Sequence, residues 1–218
     1  MMNDDNERAG SVPCFAHMLV DGHPVDPEAA RDVARFRRAE RTRLLAERRK
    51  LSSRERRAMA GELMRRLDEH VAVEAGTRIA VYWPIRGEPD LRDWMASADA
   101  AGARVLLPVV AEKEAPLVFR RWRPGCAMAP GVWNIPAPVD GEAEMPDTVI
   151  VPLLGIDESG YRLGNGGGYY DRTLVRLRPM PKIVGVGHAF CRMKTIFPMP
   201  WDVPMDSVIL TDGAVFHR

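Results

Sequence analysis

The sequence predicts an α/β fold of three layers, a mostly parallel sheet with helices on both faces. Two short runs, Asp147–Val151 and Ile183–Val186, are almost wholly apolar, as strands covered on both sides must be. Strand-like runs alternate with helix-like segments along most of the chain, the pattern of βα units. A glycine-rich loop follows the Asp147 strand, and open sheets of this kind carry ligands beyond the carboxyl ends of their strands.

Residues 1–30 hold six acids against Arg8, with scattered Gly and Pro and no clear period. They are expected to be a disordered or loosely packed extension. Residues 31–218 are expected to form one α/β domain. Residues 32–50 are arginine-rich, lack Gly and Pro, and read as a helix. Ser52-Ser53-Arg54-Glu55 has the form of a capping box, in which the serine hydroxyl accepts from the N3 amide and the glutamate reaches back. In the helix it opens, Met59, Leu63, Leu67 and Val71 repeat at i+4 and Met64 widens the stripe, so one face is buried. Gly76 ends that region. Arg78–Trp83 then reads as a strand, Pro89–Ala101 as a helix, and Arg104–Leu107 and Leu117–Trp122 as strands. Residues 123–146, rich in Pro and Gly, read as a long loop. After the glycine loop a helix is expected to about Leu177, stopped by Pro179. Ser207–Leu210 is the last expected strand.

A chain of 218 residues can bury a substantial core. Its formal charge of +1 gives no overall pull toward nucleic acid or a membrane surface. Cys14, Cys126 and Cys191 are odd in number and widely spaced, without CxxC spacing, and read as free thiols of a reducing cytoplasm. No apolar run approaches the roughly 20 residues that span a bilayer, and no basic-then-apolar leader is expected at the N-terminus. The oligomeric state is open, and a monomer is compatible with the sequence.

The chemistry concentrates in Arg162-Leu163-Gly164-Asn165-Gly166-Gly167-Gly168-Tyr169-Tyr170-Asp171-Arg172. Glycines let backbone N–H groups approach an anion closely, and a concave row of them is a cradle. Arg162 and Arg172 add forked donors suited to phosphate. Asp171 is a hard oxygen ligand of the kind Mg²⁺ takes, or else a carboxylate favoured by a helix start. The Walker and Rossmann glycine patterns do not fit, because no Gly-Lys pair occurs and Tyr169 stands where the third Rossmann glycine would be. The block reads as a nucleotide site.

This block resembles that of the 5-formyltetrahydrofolate cyclo-ligases, which carry Arg-Leu-Gly-x-Gly-x-Gly-Tyr/Phe-Tyr-Asp. Four further stretches agree in order: Tyr82–Glu88, Trp133–Pro138, Asp147–Pro152 and Trp201–Asp206. The resemblance covers roughly residues 35 to 212. It implies closure of 5-formyltetrahydrofolate to 5,10-methenyltetrahydrofolate with ATP and Mg²⁺, through a phosphorylated formyl (iminium phosphate) intermediate, releasing ADP and phosphate. Arg37, Arg41, Arg162, Leu163, Gly164, Asn165, Gly166, Gly167, Gly168, Tyr169 and Tyr170 are implied at the ATP. Trp83, Glu88, Trp133, Asn165, Gly166, Gly167, Gly168 and Tyr169 are implied at the reduced folate, and Asp171 and Asp202 at the metal. Arg162, Tyr170 and Arg172 are the implied catalytic groups. Phosphoryl transfer depends on positioning and electrostatics, so no protein nucleophile is needed.

Several residues have a plainer reading beside this one. Glu88 can be a solvated residue opening the next helix, and Asp202 a turn acid before Pro204. Arg172 either binds phosphate or pairs with Asp171. Trp83 and Trp133 flank the ring system or pack in the core, and of Tyr169 and Tyr170 one faces the site while the other packs inward. His188 reads as a strand-end histidine. Arg37 stands where the family has lysine and Glu40 where it has leucine; a shift of one would select Arg38. Phe190-Cys191-Arg192 and Pro198-Met199-Pro200 occupy regions where glutamine and glutamate are usual. Two other functions stay in view. One is a divergent member that binds ATP but acts on another substrate or only binds. The other is a nucleic-acid-binding protein using the Arg31–Arg57 helices, which lack interleaved aromatics.

Overall fold

A computed structural model describes residues 19–20 and 22–218. Strands β1 (Leu19–Val20) and β2 (His23–Pro24) pair antiparallel and lead into α1 (Pro27–Lys50). Helix α1 thus begins before residue 32. The cause is local: the Asp26 carboxylate accepts from the Glu28 N–H at 2.8 Å, and Pro27 fills a first-turn position that has no use for an N–H. Residues 27–30 are therefore helical rather than loosely packed; residues 1–18 and 21, including Cys14, lie outside the described residues.

Helix α2 (Ser53–His70) opens with the complete capping box. After it come β3 (Arg78–Ala80), α3 (Arg92–Ala100), β4 (Arg104–Val109) and β5 (Val118–Arg121). The segment expected to be one long loop contains a hairpin, β6 (Met128–Pro130) and β7 (Pro136–Pro138). Prolines at both ends hide it, because they remove the donors by which a strand is recognised. Then follow β8 (Thr148–Pro152), β9 (Gly155–Asp157), β10 (Arg162–Leu163), α4 (Tyr169–Leu174), β11 (Lys182–Gly187), β12 (Arg192–Met193), β13 (Ser207–Leu210) and β14 (Val215–His217). Helix α4 stops short of Leu177, which is carried in turns instead.

The main sheet runs β14-β13-β11-β8-β3-β4-β5. Its five inner strands are parallel and the two edges antiparallel. Alternate residues of the parallel strands enter different cores. Ile79, Val105, Leu107, Ile150, Val184, Val186 and Ile209 pack with Leu63 and Leu67 of α2 and Trp94 and Met95 of α3. Ala80, Leu106, Val149, Val151, Ile183, Val208 and Leu210 pack with Leu174 of α4 on the opposite face. Helices on both faces of a mostly parallel sheet make the three layers that the continuous apolar strands predict. Each fully buried leucine contributes roughly 1.5–3 kcal/mol.

A second, three-stranded sheet, β10-β9-β12, branches off after β8. Leu44 of α1 packs with Leu154, Leu163 and Ile196. That contact lays α1 across the small sheet and brings its arginines to the glycine loop, which starts where β10 ends. Among the described residues, no helix is long and apolar enough to cross a membrane. Cys126 and Cys191 are free thiols, and burial pushes the Cys191 thiol up to about 12.

Candidate active site

The glycine loop links β10 to α4 and is exposed at Asn165, Gly166 and Gly167. Gly166 and Gly168 adopt φ of 101° and 66°, a region that side chains with a Cβ enter at a cost. A Cβ at Gly168 would lie 2.6 Å from Arg172 Nη1. Gly166 and Gly168 are therefore favoured by the loop's path.

Arginines surround this loop. Arg41 of α1 donates from Nε to the Gly164 carbonyl at 2.8 Å. Its guanidinium is lowered from the ordinary arginine value, first by burial and then by Arg37, Arg162 and Arg38, with Asp202 acting the other way. Like charges held this close make a well of positive potential, which an anion would relieve. Arg162 is buried, donates from Nη2 to Asp171 Oδ2 at 2.7 Å, and lies 5.2 Å from the centroid of Tyr170. Arg172 does not pair with Asp171. It donates to the Gly167 carbonyl at 2.6 Å and sits 4.9 Å over the Tyr169 ring, so it braces the loop from below.

Arg37 and Arg41 share a face, and Arg38 is exposed, so the Arg37 register is the one the fold uses. Arg37 is nevertheless fully engaged. It donates from Nε to the Ile196 carbonyl at 2.9 Å and from Nη2 to the Phe197 carbonyl at 2.8 Å, and both terminal nitrogens meet Asp202. Arg37 thus ties down the segment before β13, while Arg41 keeps its terminal nitrogens toward the loop.

The two expected metal ligands lie on adjoining segments. Asp171 Oδ1 accepts from the Val203 N–H at 3.3 Å, next to Asp202. Among the described residues, no three His, Cys, Asp or Glu side chains converge. Two carboxylates on adjoining segments, without a third ligand, suit Mg²⁺, which is commonly held by one or two carboxylates, substrate phosphates and water. The donor set fits the ion, with Arg162 and Arg37 as the present counter-charges.

Glu88 meets the glycine loop from the turn before α3 and is 8% exposed. The turn before α3 buries it: Arg86 and Gly87 take φ of 48° and 74°, and Glu88 Oε2 accepts from the Ile85 N–H at 3.0 Å. The reading of Glu88 as a solvated helix opener fails for this reason. Oε1 faces Asn165 Nδ2 at 3.4 Å, so the glycine loop and Glu88 meet directly. Burial pushes the Glu88 carboxyl up, while the Ile85 amide, Arg48 and Asn165 oppose it. His188 holds the same turn, its Nε2 2.9 Å from the Gly87 carbonyl. A carbonyl only accepts, so Nε2 carries the proton, and burial keeps the ring neutral.

The aromatics divide. Trp133 is 62% exposed on the β6–β7 hairpin and meets Tyr169 edge to face at 5.3 Å, over the loop. Tyr170 turns inward and its hydroxyl is buried without a partner. Trp83 packs against the core of α2 and α3, with Arg92 5.4 Å from its ring, and is not brought to the loop. Arg48 was missed by sequence reading. Its signal is spacing: Arg37, Arg41, Leu44 and Arg48 recur at intervals of four, three and four along one face of α1.

Fold and site define the class, a three-layer α/β protein that gathers charged side chains around a glycine loop between β10 and α4. Known proteins narrow that class. Residues 33–211 match the profile of the 5-formyltetrahydrofolate cyclo-ligase family, and the chain belongs to that family; it is a ligase. It is 32% identical over 170 residues to the Escherichia coli K12 5-formyltetrahydrofolate cyclo-ligase, covering 74% of this chain and 93% of that one. To the protein of the same name from Mycolicibacterium smegmatis it is 35% identical over 147 residues, 62% of this chain and 74% of that one. Among solved structures, the Aquifex aeolicus 5,10-methenyltetrahydrofolate synthetase superposes with a TM-score of 0.72 at 30% identity, covering 84% of this chain and 92% of that one.

Proposed function

We propose that the protein uses ATP and Mg²⁺ to close 5-formyltetrahydrofolate to 5,10-methenyltetrahydrofolate, releasing ADP and phosphate. The observation that carries this reading is the junction of Asn165 and Glu88, which joins an anion-seeking loop to a buried carboxylate in one cleft. A formamide oxygen is a poor leaving group. Transfer of the γ-phosphoryl group to it forms a C–O–P linkage; N10 then attacks the formyl carbon and phosphate leaves with that oxygen.

Arg41, Arg162 and the N–H groups of Gly164 to Tyr169 hold the phosphates and spread the charge that builds during transfer. Glu88 accepts N–H bonds from the 2-amino-4-oxo edge of the pterin and so aims the formyl group at the loop. Trp133 and Tyr169 form an aromatic wall beside the ring system. Asp171 and Asp202 would hold Mg²⁺, which would supply positive charge against the phosphates. Arg172 keeps the loop in shape, and Arg37 keeps Asp202 in place. The partners are then a reduced folate and ATP, with neither nucleic acid nor membrane, and the reaction runs in the cytoplasm.

The test is near-ultraviolet absorbance of the methenyl product with purified protein, 5-formyltetrahydrofolate and Mg-ATP. A signal needing both ATP and Mg²⁺ is expected. Folded protein that binds ATP yet gives no signal would replace this reading with the divergent one.

A further inference from the structure

Arg48 is 1% exposed and plays no part in the chemistry above. Its Nη2 donates to the Leu153 carbonyl beyond β8. Nη1 stands 3.9 Å from Glu88 Oε1, and neither Nε nor Nη1 has a hydrogen-bond partner. A buried cation is costly unless a counter-charge faces it. Leu153 would be served equally well by a neutral donor. The charge on Arg48 is matched only by Glu88.

We propose that Arg48 is a positioning residue that keeps Glu88 ionised, so that the carboxylate can accept the pterin N–H groups; this rests on the folate reading of Glu88 given above. Charged and titratable groups face this spot from every neighbouring element. Arg56 approaches from α2 against Gly87. Arg86 is exposed, where water screens it. Asp90 is held low by Arg92. Tyr82 and Tyr170 are pushed up by burial and stay neutral, Arg162 lying beside Tyr170. His188 stays neutral and Cys191 protonated. Arg48 is the one buried cation facing the carboxylate among the described residues.

The sign follows. Burial favours the protonated acid and Arg48 favours the anion. Without Arg48 the carboxyl rises further, less of it is ionised near neutral pH, and raising the pH restores the anion. Arg48→Met should therefore raise KM for 5-formyltetrahydrofolate near neutral pH, by at most about 10-fold for each pKa unit that the carboxyl rises. KM should fall back toward the wild-type value as pH rises, with kcat little changed. Arg48→Gln, which keeps a donor for Leu153, should give the same profile and serves if the Met variant does not fold. Arg48→Lys should keep most of the wild-type KM. In the Glu88→Gln background Arg48→Met should add nothing.

A second readout needs no folate. In protein labelled at glutamate carboxyl carbons, the NMR signal lost in Glu88→Gln identifies Glu88, and its titration midpoint should move up in Arg48→Met or Arg48→Gln. No movement overturns the proposal, as does a KM penalty that is independent of pH and persists in Arg48→Lys; Arg48 would then merely anchor α1 to Leu153. A shifted midpoint with no effect on folate leaves the ion pair standing and removes the folate reading of Glu88.

Discussion

At the glycine loop, Asn165, Gly166 and Gly167 are exposed, and Arg41 lies against the loop with its Nε on the Gly164 carbonyl. At Glu88, by contrast, one carboxylate is buried beneath a turn held by Ile85 and His188 and faced by a buried arginine. The loop end gathers excess positive charge that a ligand must complete. The Glu88 end is already neutral as a pair and asks for shape and hydrogen bonds. A polyphosphate brings its own charge, so its site can be built from repeated donors, each replaceable in part. A neutral heterocyclic edge brings none, so its site depends on one acceptor in one charge state.

Three substitutions separate the ends. Asp171→Asn has the largest expected effect, since it removes a proposed metal ligand and the partner of buried Arg162 together; kcat should drop by about 100-fold or more, and near-normal turnover would remove Asp171 from the machinery. Arg41→Ala should raise KM for ATP by about 10-fold, one charge-assisted hydrogen bond's worth, with KM for folate nearly unchanged. A parallel rise in both constants would show that the ends are not separable. Gly168→Ala is the mildest: a Cβ at φ 66° costs about 1–2 kcal/mol, read as a lowered melting temperature and a few-fold higher KM for ATP. If Gly168→Ala instead matched Asp171→Asn, the loop would be less adaptable than its exposure suggests.

Much of the fold is legible locally. The Asp147 and Ile183 strands and the Ser52–Glu55 capping box each declare themselves within a few residues. The small sheet does not, because β10 and β12 have two residues each and owe their pairing to α1 packing above them. The start of α1 was written in Asp26-Pro27 but obscured by the acidity of its surroundings. At the site, the glycine block marks where the loop runs between β10 and α4. What it cannot identify is who pairs with whom. Arg37 meets Asp202 across 165 positions of sequence, and Arg172 turns to Gly167 rather than to the adjacent Asp171. Arg48 looks like one more surface arginine until helical spacing places it beside Arg37, Arg41 and Leu44.

The central claim is that both ends act on one reaction, the formyl oxygen leaving the folate on phosphate. The direct measurement uses 5-formyltetrahydrofolate carrying heavy oxygen in its formyl group, turned over with Mg-ATP, and weighs the inorganic phosphate released. The label is expected in phosphate, one atom for each methenyl group formed. Unlabelled phosphate would mean that ATP is hydrolysed by water apart from the folate, and would contradict it.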